Sequence, residues 1–159
     1  MALIHQVRCF SLHASDAPHV SREDGGHAVI YPDSPVVHRW EFDPEQATAL
    51  MRFSMLAGQA MFRAMNERGV AVERINFQDN GNWAIDTPQG PRFHLHLYGR
   101  ARGSIHQAHG EALYFPPKAT RFWESLEPLN AEDRRGIAAW IKRLASEPKY
   151  DPERWGMPR

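Results

Sequence analysis

Cysteine is almost missing from this sequence: Cys9 stands alone, so the chain can form no internal disulfide and no thiolate metal cluster. That usage suits a reducing compartment, and a cytoplasmic protein is expected. Long apolar runs are missing too. None approaches the ~20 residues that span a bilayer, and the N-terminus shows no basic region ahead of a continuous apolar stretch. Neither membrane association nor processing is expected. Charge of one sign is also lacking, since 19 Lys+Arg balance 19 Asp+Glu and the pI is about 7.1. The chain therefore carries no global field for a polyanion. No nucleic-acid partner is expected, and any anion recognition must be local. There is no internal repeat and no low-complexity segment.

What is present suits one ordinary domain. The 159 residues, 42% of them hydrophobic, can bury a real core. We expect a single domain over 1–159, with the core at about 3–116 and a C-terminal helix and tail over 117–159. Residues 3–12 alternate loosely and read as a first strand, and 15–26 as a loop rich in Asp, Ser, Pro and Gly. The run Gly26-His27-Ala28-Val29-Ile30-Tyr31-Pro32 reads as a buried strand. Asp43-Pro44-Glu45-Gln46 announces a helix, with an aspartate N-cap, proline at N1 and glutamine at N3. Apolar residues from Ala47 to Met65 recur at three- and four-residue steps before Gly69 stops the helix. Strands are expected over 70–77, through Trp83 and Ile85, over 92–98 and through 112–115. A capped helix should run from Asn130 to about Ser146, followed by a patternless tail over 150–159 that contains Trp155 and Pro158. Strands and helices do not alternate strictly, which argues for an α+β fold with an antiparallel sheet.

Of nine histidines, only His94 and His96 combine close spacing with a strand pattern. In an extended strand His94, His96 and Tyr98 share one face, while Phe93, Leu95 and Leu97 share the other. A strand anchored by its apolar side and presenting imidazoles on the other can address a ligand. For an imidazole to attack phosphorus, its second ring nitrogen must be held by an acceptor such as a backbone carbonyl. Donors must also surround the non-bridging oxygens. Gln78, Asn80, amides near Gly90 and Tyr98 are candidates. Taken alone, the pair equally suits an exposed polar face or a metal-binding pair. His106 and His109 could extend a metal site, but no glutamate follows the pair at the distance a cupin-like site needs, and no metal or other cofactor is expected.

The segment His94-Leu95-His96-Leu97-Tyr98-Gly99-Arg100 resembles the histidine-triad signature His-φ-His-φ-His-φ-φ, where φ is apolar. Three upstream segments resemble the same family in order: 26–32 its Gly-His strand, Asp43-Pro44-Glu45 the start of its long helix, and Ile75-Asn76-Phe77-Gln78-Asp79-Asn80-Gly81 the strand and loop before its catalytic strand. The resemblance implies a five-stranded antiparallel sheet with one long helix and a C-terminal helix, a homodimer, and a nucleotide ligand. It implies a nucleotide hydrolase or nucleotidyl transferase acting at an α-phosphate, with dinucleoside polyphosphates and phosphoramidates as candidate substrates. By position, His96 would be the nucleophile, His94 would order its ring, His27 would support them and Gln78 would contact phosphate.

Two departures stand out. Tyr98 replaces the third histidine, and a phenol donates a hydrogen bond but rarely a proton at neutral pH. The similar galactose-1-phosphate uridylyltransferases carry glutamine there and keep the middle nucleophile. Gln89-Gly90-Pro91-Arg92 stands where the family has Gly-Gln and a hydroxyl residue, leaving Gln89 and Arg92 as candidate phosphate contacts. The alternative is a nucleotide-binding protein with weak or no turnover.

Overall fold

The computed structural model describes residues 1–117 and 119–157. Its centre is a five-stranded, wholly antiparallel sheet in the order β1-β2-β3-β5-β4. The strands are β1 (Ala2–Gln6), β2 (Phe10–Ala14), β3 (His27–Pro32), β4 (Val72–Gln78) and β5 (Leu95–Ala101). Two helices, α1 (Pro44–Glu67) and α2 (Ala131–Ala145), complete the α+β architecture expected from the sequence.

Both helices begin where their capping residues dictate. The Asp43 carboxylate accepts from the Gln46 N–H at 2.7 Å, and the Gln46 side chain accepts from the Asp43 N–H at 3.2 Å. Asn130 and Asp133 form the same reciprocal box on α2. Gly69, at φ +80°, lets the chain leave α1, because only glycine takes that conformation without strain. The apolar face of α1 lies on the sheet, where Phe53, Leu56, Met61 and Met65 join Phe10, Leu12, Ile30 and Leu97 in one core. α2 adds Ile137, Ile141 and Leu144. At its N-terminus the fully buried Asp133 carboxylate accepts from Arg22 at 2.8 Å and Arg68 at 2.5 Å. One ion cluster thus ties both helices to the loop before β3.

Several expected elements differ. The strand read over 3–12 is a hairpin, turned where the Val7 N–H meets the Phe10 carbonyl at 2.9 Å. Trp83 lies in a 3-10 turn, Gly81–Ala84, and not in a strand. Residues 112–115 form no strand, because the Gln107 side chain takes the place of a strand partner: its amide accepts from the Tyr114 N–H at 2.9 Å and donates to the Tyr114 carbonyl at 3.0 Å. The tail is not patternless, since 3-10 turns Pro148–Tyr150 and Pro152–Trp155 pack Tyr150 against α1, its hydroxyl donating to Gln59 at 2.7 Å. Pro158 lies outside the described residues.

The sheet face opposite the helices carries the histidines. It is roofed by the segments 15–26, 102–117 and 119–126, and every residue of β5 is buried. The roof rests on a backbone approach between Gly25 and Gly99, so close that a Cβ on Gly99 would collide with the Gly25 carbonyl oxygen. The buried Asp24 carboxylate fastens it further, accepting the N–H groups of Ile105, His106 and Gln107 at 2.6, 2.8 and 2.9 Å.

Candidate functional site

Beneath this roof, β3 and β5 pair with His27 opposite Tyr98 and Val29 opposite His96. The pairing brings His27 and His96 together from positions 69 apart, with His27 Nε2 2.8 Å from His96 Nδ1. His27 thus stands against the His96 ring and is 1% exposed. His94 precedes β5 by one residue and is half-buried. Its ring is 4.6 Å from that of His96 and stacks at 5.7 Å on Tyr31.

The hydrogen bonds fix which nitrogen of each neutral ring holds the proton. The His19 backbone N–H can only donate, and it points to His27 Nδ1 at 3.1 Å. His27 therefore carries its proton on Nε2 and donates to His96 Nδ1, which leaves His96 with Nε2–H. The Arg92 carbonyl can only accept, so His94 Nδ1–H donates to it at 2.8 Å, and Nε2 is the only ring nitrogen of His94 that can carry a lone pair. Burial next to the other imidazoles favours the neutral forms. It lowers His96 to about 3 and His19 to about 4, and drives His27 well below the ordinary histidine value.

A cavity of about 300 Å³ opens onto His94 and His96, with Ser15, Tyr31, Asn80 and Thr87 among its polar walls. Tyr98, expected on the open side as a phosphate donor, is fully buried and outside this lining because the roof covers its end of β5. Its hydroxyl accepts from Asn80 Nδ2 at 3.0 Å and shares a hydrogen bond with His19 Nδ1 at 2.8 Å. Burial raises its pKa above the ordinary phenol range. Gln78 pairs with His96 across β4 and β5, outside the lining, and its Oε1 is buried with no hydrogen-bond partner among the described residues. Gln89 and Arg92 are exposed and also outside it, although the Arg92 carbonyl holds His94. His106 and His109 meet carboxylates instead, at 3.3 Å from Asp24 and 2.8 Å from Glu73.

Sequence reasoning passes over His19, Trp83 and Gln107. His19 lines the cavity and stacks on His27 at 4.8 Å, and Gln107 Nε2 donates to its carbonyl at 2.9 Å. No local pattern marks these residues, since the roof loops bring in His19 and Gln107 and a 3-10 turn brings in Trp83. His19, His27 and His96 could hold a metal, their nitrogens lying within 4.8 Å of one another. The facing nitrogens of His27 and His96 would have to part first. Zinc–nitrogen bonds of about 2.0–2.1 Å set tetrahedral donors roughly 3.3 Å apart, and this pair is 2.8 Å apart and joined by a proton.

No protein-family model and no curated protein matches the sequence. Solved structures match its fold. A Hit-like protein involved in cell-cycle regulation from Bartonella henselae, solved with an unknown ligand, superposes with a TM-score of 0.56 at 14% identity, over 87% of this chain and 85% of that one. A hypothetical histidine triad nucleotide-binding protein from Sulfolobus tokodaii strain7 gives 0.59 at 14% identity, over 94% and 88%. A zinc-bound histidine triad family protein from Mycobacterium smegmatis gives 0.55 at 21% identity, over 91% and 86%. The five-stranded antiparallel sheet with its two helices is the histidine-triad fold.

Proposed function

We propose that this chain is a nucleotide hydrolase or nucleotidyl transferase that attacks the α-phosphate of a nucleotide conjugate through His94. The observation that carries the reading is the opposite polarity of two adjacent rings: His94 offers a lone pair on Nε2, and His96 offers Nε2–H. The nucleophile thus lies two residues from the position that the motif alignment gives it. An imidazole held at Nδ1 by a carbonyl is the arrangement that attack on phosphorus needs, and His94 has it.

In the first step the His94 Nε2 pair forms an N–P bond. The bond from phosphorus to the leaving oxygen or nitrogen breaks, and its electron pair goes to that atom. The His96 N–H stabilises the developing charge by a hydrogen bond, and solvent supplies the proton. Water, or another hydroxyl acceptor, then attacks phosphorus, its proton passes to solvent, and the N–P pair returns to His94. The Asn80 amide, which gives one of its two hydrogens to Tyr98, is the side chain of this lining that supplies a donor to a non-bridging oxygen, since the Ser15 and Thr87 hydroxyls already donate to the Ala17 and Ala84 carbonyls.

The test is mass spectrometry of protein quenched during turnover of an adenosine 5′-phosphoramidate, with wild type, His94→Ala and His96→Ala. A nucleotidyl adduct in wild type and His96→Ala, but not in His94→Ala, supports the assignment. Adduct persisting in His94→Ala refutes it. A second reading, nucleotide binding with weak turnover, is favoured by the neutrality of His96, which is a poor proton donor. Tight binding with neither adduct nor product would establish it.

A further inference from the structure

The sheet holds His96 but stops short of His94. His96 pairs with Val29 on one side and Gln78 on the other, and the β3–β5 pairing ends at Ile30 opposite Leu95. Neither neighbouring strand pairs with His94, and its bond to the Arg92 carbonyl spans only two residues of a segment without regular structure. Continued by one residue, the same register sets Tyr31 opposite His94, and there the two rings meet. They lie 16° from parallel with their centres 5.7 Å apart, and both line the cavity of about 300 Å³. Tyr31 itself is still held by the sheet, since it pairs with Ser11 of β2 and the His13 ring stands edge-on to it at 5.7 Å. Its hydroxyl donates to Met1 Sδ at 3.2 Å, a weak acceptor. Burial raises its pKa, so the phenol neither gives nor takes a proton at neutral pH.

We propose that Tyr31 is a positioning residue for the His94 ring, acting through its own ring and not its hydroxyl, a role that rests on the reaction reading above. An imidazole turns about two single bonds, and turning it takes Nδ1 off the Arg92 carbonyl and Nε2 away from phosphorus. The Tyr31 face and the edge-on His96 ring, 4.6 Å away, restrict both rotations. The stack also strengthens during the reaction. As Nε2 bonds to phosphorus the His94 ring takes on positive charge, and the face of a phenol ring carries the negative end of its quadrupole. An interaction stronger in the transition state than before it raises kcat and leaves KM alone.

The test compares the whole protein with Tyr31→Phe, which keeps the ring, and Tyr31→Val, which keeps only a side chain that strands favour. Rapid-quench mass spectrometry with saturating adenosine 5′-phosphoramidate gives the rate of adduct formation, and nitrogen-15 NMR at pH 8 gives the His94 tautomer without substrate. In Tyr31→Val the adduct rate should fall roughly 2- to 13-fold, the range that one aromatic pair is worth. KM should stay within twofold of wild type, and Tyr31→Phe should restore the rate. His94 should be a single Nδ1–H tautomer in wild type and Tyr31→Phe, and a mixture in Tyr31→Val. A rate less than twofold lower in Tyr31→Val, a rise in KM alone, or an equal loss in Tyr31→Phe overturns the proposal. Should Tyr31→Val fail to fold, the wild-type spectrum decides: mixed His94 tautomers overturn it, and one tautomer with ring protons shifted upfield by Tyr31 supports it. Adduct persisting in His94→Ala removes the reaction reading, and the NMR comparison then still decides whether Tyr31 fixes the ring.

Discussion

His27 Nε2 stands 2.8 Å from His96 Nδ1, and the proton between them is oriented from behind by the His19 backbone N–H on His27 Nδ1. A second proton on His96 would have to sit on Nδ1, facing the His27 N–H. The arrangement therefore makes His96 a hydrogen-bond donor and resists its becoming an acid. Leaving groups that need no proton should react well, and those that need one should lose the roughly 10²–10⁴-fold that general-acid assistance supplies. The check is a series of adenosine 5′-phosphate aryl esters from nitrophenol to phenol, in which kcat/KM should fall steeply as the leaving phenol becomes more basic. A flat series would show that His96 delivers a proton.

The same neutrality sets a pH window for stability. His19, His27 and His96 have lowered pKa values in the fold, so below the unfolded value of about 6.5 the unfolded chain binds protons that the folded one does not. Their contribution is fully present above that pH and is lost as the pH falls toward the folded values of about 4 for His19 and about 3 for His96. Each buried imidazole makes stability fall by up to about 1.4 kcal/mol per pH unit in that window. Urea midpoints at pH 7, 6 and 5 should therefore drop progressively, and His27→Gln should flatten the slope.

The roof depends on two glycines. A methyl group on Gly99 would meet the Gly25 carbonyl oxygen, which is backbone and cannot rotate away, and Gly25 itself lies at φ +122°. Gly99→Ala should cost about 3 kcal/mol, at the upper end of overpacking, and lower the midpoint of thermal unfolding by roughly 10 °C. Scanning calorimetry would measure it. An unchanged midpoint would mean that the loop 15–26 does not rest on β5.

The long helix was legible because its signals are local: Asp43, Pro44 and Gln46 fix its start, and the apolar period fixes its face. The sheet was legible where one side of a strand is apolar, as with Ala28 and Ile30 or Leu95 and Leu97. The hairpin of β1 and β2 was not, because its turn at Val7-Arg8-Cys9 contains neither glycine nor proline. Trp83 reads as strand because apolar residues alternate around it, yet the ring faces a cavity and not a sheet core. The roles proposed for His94 and His96 lie beyond a motif for a deeper reason. They depend on which nitrogen each neighbour leaves free, and those neighbours, the His19 N–H and the Arg92 carbonyl, are backbone groups that no side-chain motif encodes.

Association should involve β4, which lies at an edge of the sheet order. Beside it an apolar groove of about 410 Å³ runs between α1 and the sheet, lined by Phe42, Leu50, Met51, Met55 and Phe77 among others. Met51 and Phe77 are 57% and 44% exposed. An unpaired strand edge beside exposed apolar side chains suits a second copy of the same chain, related by a twofold axis. Sedimentation velocity should report a dimer, and Met51→Lys should shift it toward monomer. A monomer at all concentrations would remove the expectation.

Tyr98 separates a phosphate-donor role from a supporting one. Its hydroxyl joins Asn80 to His19 and does not line the cavity at His94. Tyr98→Phe keeps the ring but leaves the Asn80 amide and His19 Nδ1 without their partner, which should cost about 1–3 kcal/mol, the penalty for unsatisfied buried polar groups. Turnover per folded molecule should change little, since His94 and His96 keep their own hydrogen bonds. Parallel measurements of the urea midpoint and of the turnover rate on the aryl ester check both halves. Turnover lowered by roughly the 10² that a lost transition-state donor costs, with stability intact, would place the phenol at the reacting phosphate.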